Sequence, residues 1–269
     1  MHYILAPILT ILIATLQAAE PWIIAHRGAS HDAPENTLPA FELAWKQGAD
    51  GIEGDFHLTA DKKIVCIHDF DTKRVSGEKL IISQTNLADL QRLDVGSWKS
   101  PQWKDVRMPT LDDVLKTVPE KKKIFIEIKS NQEIIPFLIE SLKKSNLPRE
   151  QIVIISFNQK VISTIREQAP DLVANWLTAF HNKSPLSPSV DEIGKTLMQL
   201  RASGIGIQAD ARVDHPFAQN ILQQGHGLHV WTVDDGTIAK RFRAMGVASI
   251  TTNRPAWLRT QLDQGKGAP

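Results

Sequence analysis

Cysteine is nearly absent: Cys66 stands alone in 269 residues, so the chain cannot close an internal disulfide. It sits in Ile64-Val65-Cys66-Ile67, where strand alternation gives it the same face as His68. A small buried thiol fits that setting better than a nucleophile. Surplus charge is missing too, since 31 Lys and Arg against 30 Asp and Glu leave a formal net charge of +1. No basic cluster exceeds Lys121-Lys122-Lys123, which reads as the entrance to a strand, and this argues against a nucleic-acid partner. Long apolar runs are lacking after residue 19. The one such run, Tyr3 to Ala19, is short for a span of about 20 residues. It ends in Leu16-Gln17-Ala18-Ala19, a small-residue cleavage pattern. Residues 1–18 are therefore expected to be a signal peptide. The mature chain, residues 19–269, is expected to be exported, periplasmic or secreted, without stable membrane insertion.

What remains is ordinary globular material, 42% apolar, enough for the core of one α/β barrel. Short β-branched runs alternate with amphipathic segments. Ile23–Ala25, Gly51–Asp55, Ile64–His68, Lys123–Lys129, Ile152–Phe157, Leu172–Leu177, Ile205–Ala209, Leu228–Val233 and Val247–Thr251 read as strands. Helical patterns between them include Leu38–Gln47, capped by Asn36 or Thr37 and ended by Gly48, and Gln159–Gln168. Repeated β-then-α units in this number indicate a TIM-type (β/α)8 barrel, with one strand candidate more than its eight positions need. The eight residues from Phe56 to Lys63 carry no helical pattern. They form either an extended crossover or a hairpin turning at Ala60-Asp61-Lys62. Residues 70–109 break the rhythm and are expected to be a small inserted subdomain after the third strand, over the mouth of the site.

The polar ends of the first three strands carry the chemistry. His26-Arg27 closes one, Glu53-x-Asp55 another, and His68-Asp69 the third. Glu53 and Asp55, two apart, leave the same strand face roughly 7 Å apart. Such a pair also suits a solvated edge, but the flanking runs are too apolar for one. Two buried carboxylates resist ionisation unless a cation lies between them. Oxygen ligands favour Mg²⁺ or Ca²⁺ over zinc. Glu127-x-Lys129 repeats the spacing, with Glu127 a third carboxylate and Arg27 and Lys129 an anion grip. Two histidines, a hard cation and two fixed cations suit phosphodiester cleavage. His31, His215 and His226 read as surface or loop residues.

Taken in order, His26-Arg27-Gly28, Pro34-Glu35-Asn36-Thr37, Gly48-Ala49-Asp50, Glu53-x-Asp55, Thr59-x-Asp61, His68-Asp69, Glu127-x-Lys129 and Trp231-Thr232-Val233 resemble the glycerophosphodiester phosphodiesterase family across nearly the whole mature chain. The resemblance implies a barrel hydrolase that uses Mg²⁺ or Ca²⁺ to release glycerol 3-phosphate and an alcohol. It implies Glu53, Asp55 and Glu127 as metal ligands and His26 and His68 as the acid–base pair. It also implies Arg27 and Lys129 as phosphate contacts, Trp231 as a pocket wall, and Glu35 as a carboxylate orienting Arg27 or His26. Asp234 and Asn253 depart from the family's usual Asn and Asp, at positions expected to touch only the pocket rim. Two alternatives stand beside this reading: a related barrel phospholipase acting on intact lipids, and a non-catalytic phosphodiester-binding barrel.

Overall fold

Strand and helix alternate because short β-branched runs can be buried on both faces, whereas the longer segments carry a single apolar stripe. The computed structural model describes residues 20–181 and 186–264; the expected signal peptide lies outside them. Strand β1 (Trp22–Ala25) leads into helix α1 (Leu38–Lys46) and strand β2 (Gly51–Leu58). Thr37 caps α1 by accepting from the Ala40 N–H, and Gly48 follows its end with φ +76°, the left-handed turn that glycine adopts without strain.

After β2 the chain turns straight back. Strand β3 (Ile64–Cys66) pairs antiparallel with β2, Phe56 facing Cys66 and Leu58 facing Ile64. The Thr59 hydroxyl donates to Asp61 at 2.6 Å, accepts from the Lys63 N–H at 2.9 Å, and Lys62 takes φ +60°. The connection is thus the hairpin, and β3 is the strand beyond the eight that close the barrel.

Residues 70–109 fold around their own small cluster, with Val75, Ile82, Leu90, Val95 and Met108 packed on Val65 and Ile67 of the hairpin arm. Two single-turn helices, α2 (Lys73–Ser76) and α3 (Leu87–Leu90), lie in this segment. Helix α4 (Leu111–Leu115) then returns the chain to the barrel under a Thr110–Asp113 capping box.

Regular units complete the ring. They are β4 (Lys123–Ile128) with α5 (Ile135–Lys144), β5 (Ile152–Ser156) with α6 (Gln159–Gln168), and β6 (Val173–Thr178) with α7 (Val190–Leu200). Next come β7 (Gly204–Gln208) with α8 (His215–Gln223), β8 (Gly227–Trp231) with α9 (Gly236–Ala244), and β9 (Ser249–Thr252) with α10 (Pro255–Asp263). All neighbours in the ring are parallel, and β1 closes it by pairing with both β9 and β2.

Alternate residues of each strand face different layers. Ile52, Phe56, Ile126 and Ile154 meet the helices, while Ile24, Phe125, Val153, Ile155 and Leu177 fill the barrel. On β2, Glu53, Asp55 and His57 share the inward parity and are all buried. That parity sends three ionisable groups up the barrel axis toward the carboxyl ends of the strands, where such folds build their sites.

Candidate active site

β2 and β4 run side by side with Asp55 level with Glu127. The register brings Glu53, Asp55 and Glu127 together, with one oxygen from each within 4.8 Å of the others. Two cations reach them. Lys129 Nζ lies 2.8 Å from Glu127 and 3.5 Å from Asp55, and Arg27 Nε lies 3.2 Å from Asp55. Three carboxylates thus face two fixed positive charges. The surplus shows in their proton affinities. Burial, reinforced by Asp55 and Glu127, pushes Glu53 well above the usual carboxylate range, and burial with Asp55 beside it pushes Glu127 up to about 7. Burial acts upward on Asp55 too, but Arg27, Lys129 and His68 hold it below its ordinary value. One Glu53 oxygen accepts the Arg27 backbone N–H at 2.9 Å; the other, fully buried, has no partner. A buried orphan oxygen, in an all-carboxylate cluster with an excess of negative charge, fits a hard divalent cation.

Arg27 owes its place to the turn that ends β1. Its own φ is +55° and that of Gly28 is +81°. A Cβ on Gly28 would fall 2.6 Å from the Ala40 carbonyl carbon of α1. The glycine therefore lets helix and turn meet closely enough to aim Arg27 across the strand ends. Glu35 accepts from Arg27 Nη1 at 2.9 Å and from Arg74 Nη2 at 2.8 Å. It is Arg27 that Glu35 orients. Arg74, from the inserted segment, also donates to Asp69 at 2.7 Å, and Asp69 accepts from His68 Nδ1 at 2.8 Å. A continuous chain of ion pairs and hydrogen bonds, Arg27–Glu35–Arg74–Asp69–His68, thereby joins the two histidine-bearing motifs.

Each histidine is held by one ring nitrogen. His26 Nδ1 meets Asn253 Oδ1 at 2.7 Å, and that oxygen also accepts from the Ser30 hydroxyl at 2.8 Å. Asn253 in turn donates its Nδ2 and its backbone N–H to Asp234. Because the carboxylate only accepts, it fixes which amide atom faces His26, and His26 must carry its hydrogen on Nδ1. Asn253 and Asp234 thus hold the His26 ring rather than touching only the pocket rim, which differs from the expectation from sequence. The pairing of β1 with β9 brings Asn253 there, across 227 positions of chain. Burial, and then Arg27, lowers the His26 pKa below the ordinary histidine value.

His57 escaped the sequence reading, although it continues the period-two series Glu53-x-Asp55-x-His57. Its Nε2 lies 3.2 Å from the His68 carbonyl, its ring packs edge-on with Phe70, and burial lowers its pKa to about 4. In the sequence Asn36 reads as a helix cap and as part of the Pro34-Glu35-Asn36-Thr37 motif, without a role at the site. It takes φ +58°, donates to Asp55 at 2.9 Å and accepts the Asp55 N–H at 3.1 Å. Cys66 is a buried thiol donating to Asn36 Oδ1.

A cavity of about 190 Å³ collects the expected site. His26, Arg27, Glu53, His68, Glu127 and Lys129 line its polar side, and Ile155, Phe157, Leu177 and Trp231 its apolar side. Asp55 and Glu35 do not line it but pair with Arg27, and Asp55 also with Lys129, which do. His31 and His215 are exposed, and His226 lies in a turn after α8.

The family model for the glycerophosphoryl diester phosphodiesterase family matches residues 26–257. A glycerophosphodiester phosphodiesterase of Caldanaerobacter subterraneus is 32% identical over 249 residues, covering 88% of this chain and 95% of that protein. Among solved structures, an Oleispira antarctica phosphodiesterase in complex with the product sn-glycerol-3-phosphate superposes with a TM-score of 0.80 at 26% identity, covering 91% of this chain and 97% of that one. A glycerophosphodiester phosphodiesterase from Parabacteroides distasonis gives 0.73 at 26% identity, covering 91% and 98%.

Proposed function

The chain belongs to the glycerophosphoryl diester phosphodiesterase family, and from that premise we propose that it is a metal-dependent hydrolase releasing sn-glycerol 3-phosphate and an alcohol by acid–base catalysis between His26 and His68. One observation carries the reading: two separately anchored histidines border a single cavity above three carboxylates and two fixed cations.

Glu53, Asp55 and Glu127 would hold a divalent cation, Mg²⁺ or Ca²⁺, which when bound polarises the phosphoryl oxygens. Arg27 and Lys129 border the same cavity and grip the remaining phosphate charge. His26, with Nδ1–H committed to Asn253 and its pKa lowered, presents a neutral Nε2 that takes a proton from the attacking oxygen. His68, which holds Nδ1 on Asp69 and borders the same cavity, gives the proton of Nε2 to the departing alkoxide. The Asp69 carboxylate, itself braced by Arg74, holds the His68 ring in place for this role. Trp231 and Phe157, 5.5 Å apart edge to face, supply the apolar wall against which substrate carbon packs.

Chelation tests this reading against the metal-independent phospholipase class. Stripped protein should lose turnover of a glycerophosphodiester, and added Mg²⁺ or Ca²⁺ should restore it. Undiminished turnover after stripping would assign the chain to the other class.

A further inference from the structure

A second cavity, of about 230 Å³, opens beside the first and shares Lys129 with it. That is room for several waters, the scale of a small alcohol. It lies on the flank of His68: His57, which touches the His68 carbonyl, and Phe70, two residues further along, both line it. The wall contributed by Ile155, Phe157, Leu177 and Trp231 bounds the catalytic cavity on its apolar side.

Building on the proposed hydrolysis, we propose that this cavity is the leaving-group subsite and that it selects a polyhydroxylated alcohol, such as glycerol or an inositol, over a quaternary amine. The lining supplies uncommitted donors and acceptors in both senses. Ser83, Glu133 and Lys62 border the cavity, and their side chains make no hydrogen bond or ion pair among the described residues. Asn131 joins them, its Oδ1 taking only a 3.4 Å contact from Asn158 while its Nδ2 is free. A hydroxyl both donates and accepts, so adjacent hydroxyls can satisfy such a mixed set. Phe70, 69% exposed, offers the one large apolar surface, on which the carbon of the alcohol can pack. A trimethylammonium group satisfies none of these donors. A site built to hydrogen-bond a hydroxyl rejects an analogue lacking it, because its polar groups are then left unpaired.

The test compares kcat/KM for glycerophosphoglycerol, glycerophosphoinositol and glycerophosphocholine, read as released glycerol 3-phosphate, in the wild type and in a Ser83→Ala/Asn131→Ala double variant. Both substituted residues are exposed, so the fold should survive, and a thermal midpoint within a few degrees of wild type checks this. The wild type should favour the polyol diesters by about tenfold or more. The variant should bring that ratio within about threefold of unity while changing the choline diester rate less than twofold. A choline preference, or a polyol preference that the double variant leaves intact, overturns the subsite while the hydrolase reading stands. Absence of glycerol 3-phosphate from all three diesters overturns the hydrolase reading and the subsite with it.

Discussion

Replacing His68 with alanine is expected to slow cleavage of an alkyl glycerophosphodiester by roughly two to four orders of magnitude, the usual worth of a general acid. An analogue whose leaving group is an acidic phenol should lose far less, because its oxygen departs without needing a proton. The asymmetry follows from how the two rings are anchored. His68 donates Nδ1–H to a carboxylate, Asp69, which Arg74 fixes from the other side, so Nε2 is the nitrogen left for the departing oxygen. His26 donates to a neutral amide and is buried beside Arg27, so the charged form is disfavoured. Histidines whose surroundings differ in this way divide the acid and base roles. His26→Ala should therefore slow both substrates alike, since both need the attacking oxygen deprotonated. Equal loss in His68→Ala, with the phenyl substrate spared in His26→Ala, would reverse the assignment.

Glu53→Gln is expected to raise the stability of the metal-free protein while abolishing most of its turnover with metal present. Glu53 and Glu127 both hold their protons more tightly folded than unfolded, Glu127 up to about 7. From the ordinary glutamate value of 4.5 upward, the folded state therefore binds more protons than the unfolded one, and these groups make stability fall as pH rises to about 7 and beyond. For Glu127 alone the loss is on the order of 3 kcal/mol, at 1.36 kcal/mol per unit. His57, buried on β2, and His229, half-buried on β8, are both lowered to about 4 by desolvation and have the opposite slope up to the ordinary histidine value of 6.5. The wild-type curve alone therefore mixes the two effects. The difference between Glu53→Gln and wild type removes the histidines. Measured by denaturant unfolding without metal, it should be small near pH 5 and favour the variant increasingly toward pH 8. Saturating Mg²⁺ or Ca²⁺ should stabilise the wild type more than the variant and so shrink or reverse the difference. A variant less stable than wild type at pH 8 without metal would mean that the three carboxylates are already satisfied by Arg27 and Lys129.

Local signals made most of the barrel legible in the sequence. The stripe in Gln159–Gln168 gives α6 with those same bounds, and Thr37 caps α1 because a hydroxyl before an apolar run satisfies an open N–H. Glu53 and Asp55 could be placed together by strand parity, and Lys129 with Glu127 by the same rule. The segment after Asp55 stayed open between hairpin and crossover, because a turn of Ala, Asp and Lys has no strong preference; the Thr59–Asp61 bond and the left-handed Lys62 decide it. Longer-range partners were not legible. Asn253 reaches His26 only when β9 closes against β1. Arg74 lies in a segment without periodicity, so nothing local connects it to Glu35, 39 positions away. His57 carried a readable signal, since it extends the inward series by one step, but a lone histidine past two acids looks like the end of a strand. What tied these residues to the site was barrel closure and the ion-pair chain, both of which arise after the elements have formed.

The account turns on which bond of the phosphodiester is cut. The most direct measurement is the product pair from glycerophosphoglycerol or glycerophosphocholine incubated with the metal-loaded protein, resolved by an assay specific for sn-glycerol 3-phosphate and by phosphorus NMR. Stoichiometric sn-glycerol 3-phosphate and free alcohol, with the choline diester yielding choline itself, is the result expected from His68 protonating the alcohol oxygen. Phosphocholine with free glycerol, or diester recovered intact, would contradict it.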